Sequence, residues 1–273
     1  MHAPYGNDAP SWPVAALQRQ LQPLLAGLSV EVMAEVDSTN SELMRRIRQG
    51  QHAPVLLVAE RQSAGRGRQG RTWLSHTDPD GQPHAQASLT FSVGLTLQRS
   101  DLSGLSLALG LALAEALHPD VGLKWPNDLW WQGQKVGGIL IETANQGPQR
   151  FAVIGVGLNL IQPQATDLRN PAAGLQQVLP DLDAATLLAR LALPLVQALV
   201  RFEASGFAPV QAAFNRRDIL RGKALVCGDG RSGTGAGVDT RGALLLHTAQ
   251  GLEAVLSDEV SVRPAPNSPM PRP

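Results

Sequence analysis

The sequence predicts an α+β protein, in which a large domain with a mixed sheet packed against helices precedes a small all-β barrel. Helical and strand patterns alternate along the chain without the regular βαβ rhythm of a doubly wound parallel sheet. The length of 273 residues is more than one typical domain and less than three. After Phe214 the helical period gives way to short alternating runs between glycine-rich turns. We therefore expect a large domain over residues 14–218, a β domain over 219–264, and flexible termini at 1–13 and 265–273.

The large domain begins with a helix, a strand and a second helix. Leucines at helical spacing predict a helix over Val14–Leu28, weakened in its middle by Pro23, and Val30–Val36 alternates as a strand does. Thr39 and Glu42 have the spacing of a capping box, which predicts a helix that starts near Thr39 and ends at Arg48.

The remaining elements follow from the same two periods. A leucine-rich helix at Leu102–Leu117 and a long helix at Asp183–Ala204, kinked at Pro194, are predicted from helical spacing. Alternating or apolar runs predict strands at Pro54–Ala59, Leu89–Leu95, Val121–Trp125, Gly138–Glu142, Ala152–Asn159, Ala224–Val226, Ala243–His247, Glu253–Leu256 and Val260–Val262.

Composition excludes several classes of protein. Hydrophobic residues make up 43% of the chain, and 23 cationic side chains balance 23 anionic ones, which argues against disorder and against a partner that is a charged polymer. Cys227 is the only cysteine, so no internal disulfide or cysteine-rich zinc site is expected. The apolar run Leu102–Ala114 is shorter than the roughly 18 to 20 residues that span a bilayer. We expect a cytoplasmic protein without a membrane partner.

The densest chemical signal is a basic loop at Gln62–Trp73. Its Gly65–Gly70 segment matches G-x-G-x-x-G formally, but prolines and turn residues after Arg71 leave no helix for a dinucleotide site. Glycines let a backbone approach an anionic ligand, and guanidinium groups bind phosphate or carboxylate in bidentate fashion. The alternative is a solvated loop or an RNA-binding arm.

Two further segments place a lysine at the end of a strand. Lys124-Trp125-Pro126-Asn127-Asp128 combines a cation with an acid that could hold Mg²⁺, although an Asx turn at Asn127 explains the spacing better by itself. Lys135 precedes Gly137 and Gly138, where the backbone has no side chain to exclude a ligand. All but three of the 23 cationic residues are arginine, so a retained lysine indicates a site that requires a compact charge.

Two polar segments complete the set. Asp37-Ser38-Thr39-Asn40 offers hydroxyl and amide groups at a helix start, and ordinary N-capping accounts for it about equally well. Gly155-Val156-Gly157-Leu158-Asn159 ends a buried strand in an amide, and strand packing alone accounts for its glycines equally well.

Taken in order, these five blocks closely resemble the biotin protein ligases over about residues 30–263, more loosely in the β domain. The resemblance implies a class II synthetase-like catalytic domain with an SH3-like barrel after it. It also implies that biotin and MgATP react to biotinyl-5′-adenylate and pyrophosphate, and that a lysine of a biotin carboxyl carrier protein then accepts biotin. No tightly bound prosthetic group is implied. A homodimer is an expectation from the family.

The resemblance also implies the residue roles. Ser38, Thr39 and Gln62 would bind the ureido ring. Trp73 would pack on adenine and Arg71 would reach the ATP phosphates. Lys135, with Arg68, would be catalytic, because its ammonium would lie between the biotin carboxylate and the α-phosphate. The full expected biotin-binding set is Ser38, Thr39, Asn40, Gln62, Gly65, Arg66, Arg68, Lys135, Gly137 and Gly138. The expected ATP-binding set is Arg71, Trp73, Lys124, Asn127, Asp128, Lys135 and Asn159, with Asp128 also the candidate Mg²⁺ ligand.

The sequence departs from the family in two places. Only 36 residues precede Asp37, so we expect no N-terminal DNA-binding repressor module and no DNA partner. The polar segment His76–Ala87 is longer than the family usually has there. The alternatives are a lipoate or octanoate protein ligase with the same core, or an RNA-binding module that uses the basic loop. The tryptophan that ends the loop favours biotin, and an aromatic content of 4% argues against RNA.

Overall fold

The computed structural model of the chain describes residues 11–73, 87–147, 149–163, 171–256 and 262–264. Most of the predicted termini, nearly all of His76–Ala87, and part of the predicted strand Val260–Val262 lie outside these ranges.

A seven-stranded mixed sheet forms the centre of the large domain. Its spatial order is β1-β2-β3-β7-β6-β5-β4, with β1 and β2 parallel and all other neighbours antiparallel. The strands are β1 (Ser29–Val36), β2 (Val55–Gln62), β3 (Ser88–Leu97), β4 (Gly122–Lys124), β5 (Asp128–Trp131), β6 (Gln134–Gln146) and β7 (Gln149–Asn159).

Helices cover both faces of this sheet. The helices are α1 (Val14–Leu21), α2 (Thr39–Arg48), α3 (Leu105–Leu117), α4 (Ala184–Ser205) and α5 (Gln211–Arg217). In β2 and β7, alternate residues belong to different cores: Leu56 and Ile154 pack with α1, α3 and α4, whereas Leu57 and Val153 pack with α2. A strand buried on both faces needs such a continuous apolar sequence.

Helix α4 is long and apolar enough to cross a membrane, but its position is that of a core helix. Half of its apolar stretch is buried inside the protein, and the helix packs against α3, α1 and β3. Asp183 caps its first turn by accepting a hydrogen bond from the Thr186 backbone N–H. A single helix spans Pro194.

A separate antiparallel sheet of five strands follows, in the order β11-β10-β9-β8-β12. Its strands are β8 (Ala224–Cys227), β9 (Ser232–Val238), β10 (Leu244–Thr248), β11 (Gly251–Val255) and β12 (Val262–Pro264). The predicted α+β class and the C-terminal β module are confirmed.

Several predicted boundaries are wrong for identifiable reasons. Helix α1 ends at Leu21 rather than Leu28, because Pro23 lacks an N–H and restricts the residue before it. The predicted capping box is wrong in detail: Ser38 is the N-cap of α2, and Glu42 binds Arg45 and Arg46 instead of the helix start. The predictions omitted β5, β9 and α5, and β6 is longer than expected.

Candidate active site

The five sequence blocks meet around one cleft with a cavity volume of about 180 Å³. A site of this kind combines apolar walls with a few convergent polar groups. Most of the predicted site residues line it: Ser38, Thr39, Asn40, Gln62, Arg66, Arg68, Arg71, Trp73, Lys124, Asn127, Asp128, Lys135 and Gly138. The large domain supplies nearly all of the wall, and Val262 of β12 adds one side chain from the β module.

One end of the cleft is polar and buried. The backbone N–H of Thr39 donates to Gln62 Oε1 at 2.8 Å, and the Thr39 hydroxyl donates to the same oxygen at 3.1 Å. Ser38 caps α2 through its hydroxyl and lines the cleft as well, so the N-cap residue of α2 is also part of the cleft wall. A ligand head group that offers both donors and acceptors would match this end of the cleft.

Asp37 fixes the start of this segment from outside the cleft. Its carboxylate binds the Arg45 guanidinium at 2.7 Å and accepts a hydrogen bond from the Ser38 backbone N–H. The hydrogen bond from Arg45 holds the pKa of Asp37 below its usual value. The charge of Asp37 therefore secures the turn that presents Ser38 and Thr39.

Asn40 connects the polar end to the neighbouring strands. Its Nδ2 donates to Glu142 Oε2 at 2.9 Å, and its Oδ1 lies 2.7 Å from the Ser92 hydroxyl. Gly155 makes room for this amide, because a Cβ at position 155 would lie 2.3 Å from Asn40 Oδ1. Both polar ends of Asn40 thus bind protein groups, which indicates that it supports the pocket.

The basic loop folds into a tight hairpin over the cleft. The Trp73 N–H donates to the Gly65 carbonyl at 2.9 Å, and the Gly67 N–H donates to the Arg71 carbonyl at 2.7 Å. Gly65 is required at the base, since a Cβ there would lie 2.4 Å from the Trp73 carbonyl oxygen. Gly70 has a φ of +70°, which favours glycine. The described part of the loop contains no helix of the kind that a dinucleotide fingerprint requires.

Trp73 lies at the end of this hairpin against the floor of the sheet. A Cβ at Gly157 would come within 2.6 Å of the indole ring, so the glycine makes the seat for Trp73. The Lys135 ammonium is 5.9 Å from the indole centroid. The predicted packing surface for an adenine ring therefore borders the predicted catalytic lysine.

Lys135 and Asp128 form an ion pair inside the cleft. Lys135 Nζ is 2.6 Å from Asp128 Oδ1, and both side chains are mostly buried. A Cβ at Gly138 would lie 3.2 Å from that carboxylate oxygen and 3.3 Å from the ammonium, so Gly138 keeps the pair uncrowded. Asp128 thus does more than form the turn that its spacing suggested.

The neighbouring residues of this hairpin hold its shape. Asn127 Nδ2 donates to the Ile139 carbonyl at 2.7 Å, and the Ile139 N–H donates to the Asn127 carbonyl at 2.9 Å. The buried Lys124 ammonium lies 4.6 Å from the ring centroid of Trp130, a cation–π contact. Two lysines, Lys124 and Lys135, therefore line the cleft together with Asp128.

Three predicted site residues do not line the cleft. A Cβ at Gly137 would meet Leu158 on β7, Gly65 is used in closing the hairpin, and Asn159 donates to the Ala173 carbonyl at 3.3 Å. Their ligand contacts stay predictions. Four residues without a predicted role, Thr90, Ser92, Glu142 and Val262, either line the cleft or bind residues that do. The buried polar alternation of Ser88, Thr90 and Ser92 in β3 was a signal for this face of the strand.

Comparison with known proteins finds sequences similar to most of this chain. Residues 32–159 match the model of the biotin/lipoate A/B protein ligase family. The chain is 36% identical over 259 residues to the bifunctional ligase/repressor BirA of Escherichia coli, which covers 90% of this chain and 78% of the relative. It is 31% identical to the biotin–[acetyl-CoA-carboxylase] ligase of Paracoccus denitrificans, over 84% of this chain and 98% of the relative.

A solved structure extends the similarity to the fold. The biotin protein ligase of Aquifex aeolicus, determined in complex with biotin and ATP, superposes with a TM-score of 0.72 at 29% identity. The alignment covers 86% of this chain and 99% of that one. The similarity therefore extends over most of the chain.

Proposed function

The chain belongs to the biotin/lipoate A/B protein ligase family, and we propose that it is a biotin protein ligase that activates biotin with ATP and transfers it to a carrier lysine. The observation that carries the proposal is the position of Lys135. Its ammonium lies beside Asp128 and Trp73 in the cleft whose other end is the polar pocket of Ser38, Thr39 and Gln62.

The first step joins biotin to AMP. A biotin carboxylate oxygen attacks the α-phosphorus of ATP, the bond to the β-phosphate breaks, and pyrophosphate leaves. Two anionic groups must approach each other, so a compact cation between them lowers the electrostatic barrier and stabilises the charge that develops at phosphorus. Lys135 supplies that cation, while Arg71 and Lys124 bind the departing phosphates.

The nucleotide reaches the site as its magnesium complex. Among the described residues, no group of three or more histidine, cysteine, aspartate or glutamate side chains could hold a metal ion by itself. A carboxylate at Asp128 would therefore share Mg²⁺ with phosphate oxygens, which suits an ion that usually retains several non-protein ligands.

The second step transfers biotin to protein. The neutral amine of a carrier lysine attacks the carbonyl of the mixed anhydride and an amide forms. AMP leaves with the bonding electron pair, and the proton lost from the amine nitrogen passes to solvent. This route needs positioning and electrostatics but no covalent enzyme intermediate. Relatives named biotin–[acetyl-CoA-carboxylase] ligase support the biotin carboxyl carrier protein of acetyl-CoA carboxylase as the acceptor.

The alternatives receive less support. The relatives that cover most of this chain at 31–36% identity carry biotin-ligase or ligase/repressor names, which favours biotin over lipoate or octanoate. The basic loop is folded back on the cleft, with Arg66 3.3 Å from Glu142, and this differs from the extended arm that an RNA-binding module would use. A cytoplasmic location, a homodimer and the absence of DNA and membrane partners stay predictions.

Biotin-dependent exchange of pyrophosphate into ATP tests the proposal. The purified chain should catalyse exchange with biotin and MgATP, and should then add one biotin to a single lysine of a carrier domain. Lipoate and octanoate, at the same concentration, are the matched substrates. Faster exchange with either of them than with biotin would contradict the proposal, as would an absence of exchange with all three acids.

A further inference from the structure

Glu142 is a carboxylate beside the cleft to which neither the sequence analysis nor the proposed mechanism gives a role. It lies on β6, and its side chain is about one quarter exposed. Its two oxygens bind in different directions. Oε2 accepts a hydrogen bond from Asn40 Nδ2 at 2.9 Å, and Oε1 lies 3.3 Å from the Arg66 guanidinium.

The Asn40 side of this carboxylate leads into the polar pocket. The Ser92 hydroxyl lies 2.7 Å from both Asn40 Oδ1 and Thr39 Oγ1, and Thr39 binds Gln62 Oε1 in turn. These groups are buried, so each hydrogen bond in the chain is costly to lose. Glu142 therefore sits at the outer end of a continuous polar chain that begins in the pocket.

The Arg66 side leads into the basic loop. Arg66 directly follows Gly65, where the hairpin closes, and its backbone pairs with Thr72 across the hairpin. The glycines of this loop make its ordering expensive in conformational entropy. The ion pair between Arg66 and Glu142 at the base of the hairpin offsets part of that entropy cost before any ligand is bound.

We propose that Glu142 is a positioning residue that couples the biotin pocket to the basic loop, by holding Asn40 with one oxygen and Arg66 with the other. This inference rests on the proposed function. The carboxylate touches no reacting atom. It makes the closed hairpin and the ordered pocket support each other, so that a substrate bound in the pocket favours the loop conformation over the cleft.

The direct test is the accessibility of the loop to trypsin in the absence of substrates. Glu142→Gln keeps the size of the side chain and its bond to Asn40 but removes the charge that binds Arg66. Cleavage after Arg66, Arg68 or Arg71, followed by mass spectrometry, should become about three- to tenfold faster. Glu35→Gln is the matched control, because Glu35 pairs with Arg61 at 3.4 Å on the surface of the same sheet. It should leave the loop cleavage rate unchanged.

Kinetics and a double-mutant cycle separate positioning from a general loss of structure. Glu142→Gln should raise KM for biotin and ATP about three- to tenfold and leave kcat within about twofold, since loop ordering then draws on binding energy. Because Arg66→Gln removes one trypsin site, cleavage is compared after Arg68 and Arg71 in all variants. There Arg66→Gln should be cleaved as fast as Glu142→Gln, and the double variant should be no more sensitive than either single one. If Glu142→Gln does not fold, as judged by its thermal unfolding, Arg66→Gln tests the same pair from the loop.

The outcomes distinguish this inference from the proposed function. Unchanged cleavage in both single variants, additive effects in the double variant, or equal effects in Glu35→Gln would overturn the role of Glu142. An inactive wild-type chain would overturn the proposed function, and the cleavage experiment would still report on the coupling because it needs no activity.

Discussion

At the scale of single residues, the clearest relation between chemistry and position is at Lys135. Its ammonium lies 2.6 Å from Asp128, with no side chain at Gly138 to crowd the pair. An arginine at this position would place a wider planar fork between the carboxylate and the strand. In a chain whose cations are otherwise nearly all arginine, the retained lysine is explained by the small space in which its charge must act.

Replacing this charge should stop the chemical step without preventing biotin binding. Lys135→Met removes the ammonium and keeps the length of the side chain, while the pocket of Ser38, Thr39 and Gln62 stays intact. Biotin-dependent pyrophosphate exchange should fall by more than tenfold, which corresponds to about 1.4 kcal/mol of transition-state stabilisation. Biotin affinity, measured by calorimetry, should change little. Lys135→Arg separates charge from shape and should also be impaired. An exchange rate within tenfold of wild type in Lys135→Met would remove Lys135 from its catalytic role.

A second residue, Asp218, affects stability rather than the reaction. Its Oδ1 accepts a hydrogen bond from the Leu220 N–H, while its buried Oδ2 has no hydrogen-bond partner in the structure. Burial raises the pKa of Asp218 from its ordinary value of 3.8 to about 6. The folded state therefore holds this proton in a pH range where the unfolded chain has released it.

The sign of the pH dependence follows from that difference. Between about pH 4 and pH 6 the folded state binds more protons, so the contribution of Asp218 to stability decreases as pH rises and stays constant above the folded-state pKa. Asp218→Asn does not titrate and keeps the acceptor for Leu220. In urea denaturation at several pH values, the stability of this variant relative to wild type should increase by about 2 kcal/mol between pH 4.5 and 7.5. A constant difference across that range would show that the carboxylate is ionised throughout.

At the scale of elements, the predictable part of the fold is the part with a clear hydrophobic period. Helices α2, α3 and α4 were predicted nearly to their ends, because leucine spacing and capping residues define them. Strand β9 was missed because its sequence, Ser232–Val238, is rich in glycine. Those glycines are required by packing: a Cβ at Gly233 or Gly235 would lie 2.4 Å from a carbonyl oxygen of another segment. Such a constraint comes from tertiary contacts and leaves no period in the sequence.

The hydrogen bonds of the candidate site could not be predicted for the same reason, because they arise from tertiary contacts. The blocks that line the cleft were predicted from order and resemblance, but the hydrogen bonds among Asn40, Ser92 and Glu142 depend on helix α2 meeting strands β3 and β6. A polar residue that alternates with apolar ones along a strand, such as Ser92, could be recognised from that alternation. Its partner could not, since no spacing within the chain relates Ser92 to Asn40.

The basic loop gives a prediction at this scale. Arg68 lies at the tip of the hairpin and lines the cleft. Its guanidinium would therefore bind the phosphate of a ligand in the cleft. Arg68→Gly should leave biotin activation measurable but shorten retention of biotinyl-5′-adenylate. Losing a charge-assisted hydrogen bond costs about 1.5 to 3 kcal/mol, or roughly 10- to 150-fold in dissociation rate. Adenylate release and biotinylation of added serum albumin measure the effect. Arg68→Lys keeps the charge, so its rate of adenylate release should lie between those of wild type and Arg68→Gly. An unchanged release rate with no labelling of albumin would show that Arg68 is only a solvated charge.

At the scale of the whole molecule, the β module meets the large domain next to the candidate site. The Trp125 indole N–H donates to the Gly242 carbonyl at 3.0 Å, and Trp125 lies between Lys124 and Asn127 in the cleft wall. Gly242 in turn packs on α3, where a Cβ would come within 2.8 Å of Gly104 Cα and 3.0 Å of Leu107. A domain boundary at 218/219 stays a prediction, but the segment between β4 and β5 and the turn between β9 and β10 share this contact.

This contact predicts that a change in the β module impairs the nucleotide side of the cleft. Gly242→Ala adds a methyl group against the backbone of Gly104 and should displace the carbonyl that binds Trp125. Gly230→Ala is the matched control. Gly230 has a φ of +92° and Gly242 one of +83°, so in both variants the left-handed backbone conformation of the new alanine costs about 1 to 2 kcal/mol. The two positions differ in space, because no atom lies within 4 Å of a Cβ at 230.

Gly242→Ala should raise KM for ATP at least about threefold beyond the control, because a shift of Trp125 moves Lys124 and Asp128 together. KM for biotin should change less, since Ser38, Thr39 and Gln62 belong to other segments. Equal KM values for ATP in the two variants would show that the β module packs beside the site without helping to shape it.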